Sequence, residues 1–234
     1  MKKLITFLLA IILFSCQSTK QTKPIGESPL ILDEFDFETK IATLYPDKYK
    51  SKDFSYVYEI PSTYHSNFVE KDTIFENEFD ESKKAIGFEY RQKSSTSIDT
   101  LALLNNQPFQ KVNVATTLDN KIKIISAVAD EIPKSKSDKI IKYLTENYGP
   151  YKKIKAVFGT EFYIYEWKTQ NKTYRYSPIL DNESSTIKLE INENNGTIKS
   201  GKKEQHINGY FYIKQNNFIK DIEKLKTGDF VFCQ

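Results

Sequence analysis

The sequence predicts an α+β domain: an antiparallel sheet of hairpins with one or two helices packed on one face. Three observations predict it. Residues 111–118 and 121–129 are apolar, β-branched runs flanking Asp119-Asn120, and residues 161–168 and 172–177 flank Gln170-Asn171, so each pair reads as a hairpin. Between the hairpins, Ile140, Ile141, Leu144 and Tyr148 recur at helical spacing and Gly149-Pro150 closes the run. The resulting order over residues 110–191, strand-strand-helix-strand-strand-strand, is that of a helix laid on an antiparallel sheet.

Read from its start, the chain opens on Met1-Lys2-Lys3 and an apolar run, residues 4–14, whose only polar member is Thr6. As a helix that run would span about 16 Å, about half of a bilayer core. It is too short to cross a membrane and has the form of the apolar core of an export signal behind a basic end. The run ends in Leu13-Phe14-Ser15-Cys16. These residues resemble the lipobox of bacterial lipoproteins, in which the cysteine is acylated and becomes the new first residue. Leu13, Ser15 and Cys16 match that pattern, and Phe14 stands where a small residue is usual. The resemblance covers only the start of the chain. It implies a signal peptide over 1–15, a lipid anchor with palmitate-type chains on Cys16, and a place in the cell envelope. The absence of Asp after Cys16 points by analogy to the outer membrane. Heavy use of Lys, Asn and Ile makes the chain similar in composition to envelope lipoproteins of the Bacteroidota. The alternative for the same residues is an ordinary signal cut near Ser15, leaving a free thiol.

Removal of residues 1–15 from the 234 leaves 219, enough for one large domain or two small ones. Lys2 and Lys3 leave too, so 32 basic residues (34 − 2) face 31 acidic ones and the net charge falls to +1. A chain so balanced offers no basic face for nucleic acid. With Cys16 consumed by lipid, Cys233 stands alone, so no internal disulfide forms; in a terminal strand it reads as a buried, inert thiol.

Residues 16–29 are polar, contain Pro24 and Pro29, and read as a flexible tether. The α+β domain is expected over 30–234, divisible into a β-rich part over 30–108 and a second part over 109–234. In residues 30–52, Asp33, Glu34, Asp36 and Glu38 suggest a calcium loop. Phe35 and Phe37 interleave with them and no turn glycine follows, so an edge strand or short helix is the simpler reading. Strands are expected at 54–60, 73–79 and 85–92, and a short element at 98–104. The first hairpin sets Val114 against Ile125 and Ala115 against Ile124. The helix is expected over 137–148, capped by Ser135 or Ser137. In the second hairpin Trp167 faces Tyr174, Tyr165 faces Tyr176 and Glu166 faces Arg175, pairs that are all chemically sensible. A strand at 186–191 turns at Asn194-Asn195-Gly196, and 210–213 is a short strand. Phe218, Ile219, Ile222 and Leu225 mark a last helix before a strand at 230–233.

The two histidines, His65 and His206, lie far apart, and no H-E-x-x-H, G-x-S-x-G, C-x-x-C or glycine-rich phosphate loop occurs. No metal or cofactor is expected. Asp72-Thr73-Ile74 and Asp99-Thr100-Leu101 resemble the short O-glycosylation site of Bacteroidota envelope proteins, which makes Thr73 and Thr100 the modification candidates. The candidate working surface is the aromatic face Tyr163, Tyr165, Trp167, Tyr174, Tyr176. Exposed, it would stack on sugar rings or grip a protein; covered by the helix, it would be core. These readings describe a lipid-anchored, non-catalytic envelope protein with a protein or glycan partner. The alternatives are an immunity or inhibitor lipoprotein against a secreted toxin or hydrolase, and a carboxylate-based hydrolase.

Overall fold

The structure, a computed structural model, describes residues 22–63, 67–76, 84–93, 99–158, 160–181, 189–201, 205–216, 230 and 232. The signal, Cys16, His65, Cys233 and the helix expected from Phe218 to Leu225 lie outside them.

Among the described residues the fold is dominated by antiparallel sheet, with two α-helices. In chain order the elements are β1 (Leu30–Ile31), α1 (Ile41–Leu44), β2 (Val57–Ile60), β3 (Asn67–Phe75), β4 (Ala85–Gln92), β5 (Ala102–Leu104), β6 (Gln107–Phe109), β7 (Lys111–Thr117) and β8 (Ile122–Ile132). They continue as α2 (Lys134–Tyr148), β9 (Lys152–Phe158), β10 (Thr160–Lys168), β11 (Lys172–Asp181), β12 (Leu189–Ile191), β13 (Ile198–Ser200) and β14 (His206–Gln215). Nine strands form the main sheet in the order β2-β3-β4-β7-β8-β14-β11-β10-β9. It takes strands from both the 30–108 and the 109–234 parts of the sequence. Two meanders, one before α2 and one after it, are joined by β14, which pairs with β8 on one side and β11 on the other. Central position explains why β14 runs from His206 to Gln215 rather than over 210–213 alone. Its polar ends are held by neighbours on both sides, and Phe211, Tyr212 and Ile213 are all buried because both faces are covered.

Both hairpin registers are as the sequence predicts: Val114 opposite Ile125, Ala115 opposite Ile124, and Trp167, Glu166 and Tyr165 opposite Tyr174, Arg175 and Tyr176. The first turn is one residue longer than expected. Thr117 N–H bonds to the Lys121 carbonyl at 3.0 Å, Asn120 takes a left-handed conformation (φ 61°), and the register slips between Ala115 and Thr116. α2 starts three residues earlier than expected. Pro133, in extended backbone, accepts from Lys136 N–H at 2.9 Å and Ser137 N–H at 3.3 Å, so the first turn forms without a side-chain cap and Ser137 lies inside the helix, buried. Gly149 ends it at φ 84°.

One face of the sheet carries α2, the small sheet β1-β5-β6 and the segment from Ile25 to Tyr45 in a single apolar core. The end of the expected tether is therefore part of the fold. Ile25, the one aliphatic residue in that polar stretch, is buried and its N–H bonds to the Leu44 carbonyl at 3.1 Å. Gly26 follows at φ 89° so close to Pro61 that an added Cβ would lie 2.5 Å from its carbonyl oxygen. Phe230 and Phe232 lie on the opposite face. Phe230 packs with Ile74, Ala115 and Ile124, and Phe232 lies 5.2 Å from Phe162 and 4.4 Å from Tyr210, ring centre to ring centre.

Candidate functional site

The five aromatic residues singled out in the sequence do lie on one face of β10 and β11, but the structure splits them. Trp167, Tyr174 and Tyr176 are buried in the core and are removed from the candidate surface. The cause is α2, which covers them. It places Ser137 where its Oγ accepts from the Tyr176 hydroxyl at 3.0 Å, and it carries Tyr148 onto Tyr174, the rings stacked at 4.2 Å. Gly209 on β14 makes room for Tyr176, since a Cβ there would fall 2.6 Å from its hydroxyl oxygen.

The other two remain within reach of solvent. Tyr165 is half-buried and Tyr163 is 43% exposed. A neighbour not singled out in the sequence joins them: Tyr151, 41% exposed, sets its ring edge-on to Tyr165 at 4.9 Å and to Trp167 at 5.7 Å. Lys153 of β9 lies opposite Tyr165 in the ladder, and its ammonium sits 3.9 Å over the Tyr163 ring. The result is an aromatic strip, rooted on buried Trp167 and opening to water through Tyr165, Tyr151 and Tyr163. The signal for Tyr151 was hidden behind Gly149-Pro150, which marks a helix end rather than a site.

Beside the strip the sheet opens. The β10–β11 ladder runs from Lys168–Thr173 to Tyr165–Tyr176 and goes no further, while β11 stays paired to β14 as far as Asp181–His206. Pro178, with no N–H to donate, lies just beyond the last pair. The opening is a cleft of about 380 Å³, with Tyr163 and Tyr165 on one wall, Pro178 and Leu180 on the other, and Glu161 at its side, paired to Lys155 at 2.6 Å. Aromatic walls with a cation and a carboxylate at the edge can stack on a ring and hydrogen-bond its substituents.

On the opposite face of the same hairpin, Glu166 is buried and accepts from Arg175 Nε at 2.8 Å and Nη2 at 2.7 Å. Burial pushes its carboxyl pKa up, but the Arg175 hydrogen bonds and charge outweigh that and hold it below the ordinary 4.5. Asp33 is the carboxyl that burial raises. It accepts from Asn105 N–H at 3.1 Å and lies beside Tyr143, whose hydroxyl is pushed up to about 12, chiefly by burial and then by Asp33. Asn105 and Asn106 are both left-handed in the β5–β6 turn, so Asp33 pins that turn and acts as a structural clamp.

Thr73 and Thr100 are both exposed. Asp72 pairs with Arg91 at 2.9 Å, and Asp99 accepts from Ser62 Oγ and Thr63 N–H. The four carboxylates between Asp33 and Glu38 form no cage, and no group of three His, Cys, Asp or Glu among the described residues could hold a metal ion. Also among the described residues, no helix is long and apolar enough to cross a membrane. No protein-family model matches the chain, and no curated protein or solved structure matches it either.

Proposed function

We propose that this is a lipid-anchored envelope protein that binds a protein or glycan partner without transforming it, through the strip Tyr151, Tyr165, Tyr163 and Lys153. The observation that carries the reading is the rooting of exposed rings on a buried one. Tyr151 and Tyr165 pack on Trp167, itself fully buried, so rings facing water are already held in place before a partner arrives. Pre-ordered aromatic side chains lose little freedom on binding and give large contact area with a polar handle. The α+β layering serves the site in this reading, because α2 fixes one end of the aromatic row and leaves the other open. The anchor on Cys16 would keep the strip at the envelope.

The test is capture from solubilised envelope and titration with envelope polysaccharide, comparing the wild type with a Tyr151→Ala/Tyr163→Ala double variant. A bound partner lost in the double variant, with unchanged thermal unfolding, supports the reading. Equal capture by the two proteins would refute the strip as the contact surface.

A further inference from the structure

The register of the main sheet puts Ile60, Asn67, Gln92, Lys111, Ile132, Asp181 and His206 at one end, and the β9–β10 connection at that end as well. Gly26, near the start of the described residues, lies at that end too, against Pro61, the residue that follows Ile60. Between β11 and β14 at the same end is inserted the hairpin β12–β13, every residue of which is exposed. Its residues are sorted by face. Ile191 pairs with Ile198, and Leu189 shares their side; Glu190 and Lys199 pair on the reverse. Ile191 is 64% exposed, and Leu189 and Ile198 are nearly as open. A free-standing two-stranded hairpin with one uncovered aliphatic face is not stable in water by itself. Leu180 and Val157, 61% and 70% exposed, stand at the same end.

We infer that this end of the sheet lies on the lipid bilayer, with the Leu189, Ile191 and Ile198 face of the hairpin seated among the acyl chains at the interface. The inference rests on the proposed lipid on Cys16. Only residues 17–21 separate Cys16 from Thr22, so the anchor holds the body within about 20 Å of the membrane, and Gly26, four residues further on, lies at the end where the hairpin is inserted. An amphipathic element at the interface is a second membrane signal beside the acyl chains, and two signals fix an orientation that one cannot. The aromatic strip then runs away from the bilayer, with Tyr151 its outermost ring.

The experiment uses the full, processed lipoprotein in phosphatidylethanolamine/phosphatidylglycerol vesicles, in a Cys233→Ser background. Ile191→Cys carries an environment-sensitive fluorophore, and Leu118→Cys, 50% exposed in the β7–β8 turn at the far end, is the control. Intact mass and flotation report the anchor separately. The expected result is an acylated, floating protein whose label at 191 brightens several-fold and shifts to the blue on vesicles, while the label at 118 does not change. An acylated, floating protein whose label at 191 stays in water overturns the seating and leaves the anchor standing. A mass without acyl chains overturns the anchor and the inference together. Brightening at 191 without vesicles that grows with protein concentration assigns the face to a second copy and also overturns it.

Discussion

The two faces of the main sheet are made by alternate residues of the same strands, yet they hold together by different chemistry. On the helix face, Trp167, Tyr174, Tyr176, Phe211, Ile213, Ile125 and Val114 form one continuous apolar layer under α2 and the small sheet. On the other face a polar row crosses six strands. Asn113 pairs with Ser126, Ser126 with Tyr212, Tyr212 with Arg175, Arg175 with Glu166, and Glu166 with Lys152. Asn113, Ser126 and Tyr212 are fully buried. Asn113 Oδ1 accepts from Gln92 N–H at 2.8 Å, and Gln92 Oε1 accepts from Val112 N–H at 3.1 Å, so side chains continue the β4–β7 pairing where the backbone ladder stops. The helix face draws its stability from area and close packing; the polar row on the other face, beside the smaller apolar cluster of Phe230, Ile74, Ala115 and Ile124, needs every partner present, because a buried polar group left alone costs far more than a satisfied one contributes.

Removing one member of each layer tests this contrast. Trp167→Ala empties the largest buried side chain of the helix face and should cost about 3–5 kcal/mol in urea unfolding. Arg175→Met keeps the stem but leaves the Glu166 carboxylate buried without its fork, at an expected cost of about 3 kcal/mol. The two differ in pH dependence. The folded pKa of Glu166 lies below its ordinary 4.5, so its stabilisation is present above that value and is lost as the pH falls through the folded value. Glu166→Gln should therefore flatten the acid limb of the stability curve relative to the wild type, and Trp167→Ala should leave its slope unchanged. Equal slopes in the wild type and Glu166→Gln would mean that the pair is not what makes the polar face acid-sensitive.

A smaller effect is expected where the faces differ least. Ser137→Ala removes the acceptor of the Tyr176 hydroxyl, a buried side-chain hydrogen bond between α2 and the sheet. The loss should be about 1–2 kcal/mol by thermal unfolding, since a buried hydroxyl is left unsatisfied while its ring stays packed.

The helix face was legible in the sequence and the polar face was not, for a physical reason. Apolar alternation in residues 161–168 and 172–177 announces a buried side, and with two aromatic pairs facing each other it fixes the register. A buried Asn113 or Ser126 has the sequence appearance of an exposed one, because what buries it arrives from distant parts of the chain. β9 is likewise absent from the expected elements: Lys152, Lys153 and Lys155 give it no apolar alternation, and lysines are what an outermost strand uses to keep other chains from pairing with it. The helix start failed because Ser135 and Ser137 look like caps, and only the Tyr176 hydroxyl shows that Ser137 is turned inward. The candidate site was half legible. Alternation marked the right face of β10, but how far α2 reaches along it is a matter of packing.

That reach is tested by the mildest substitution. Tyr163 lies on the same face of β10 as Trp167, four residues earlier, and is 43% exposed. Tyr163→Ala gives up the Lys153 contact, an exposed cation–π interaction worth about 0.5–1 kcal/mol, and some ring area. Its unfolding midpoint should therefore move far less than that of Trp167→Ala, while partner capture falls. The two positions carry aromatic side chains on one strand face, so beyond the larger size of Trp167 their difference reports cover by α2. A stability loss as large as that of Trp167→Ala would mean that the helix face is closed along its whole length in solution. The strip would then be core from end to end, and the contact surface would have to lie on another part of the molecule.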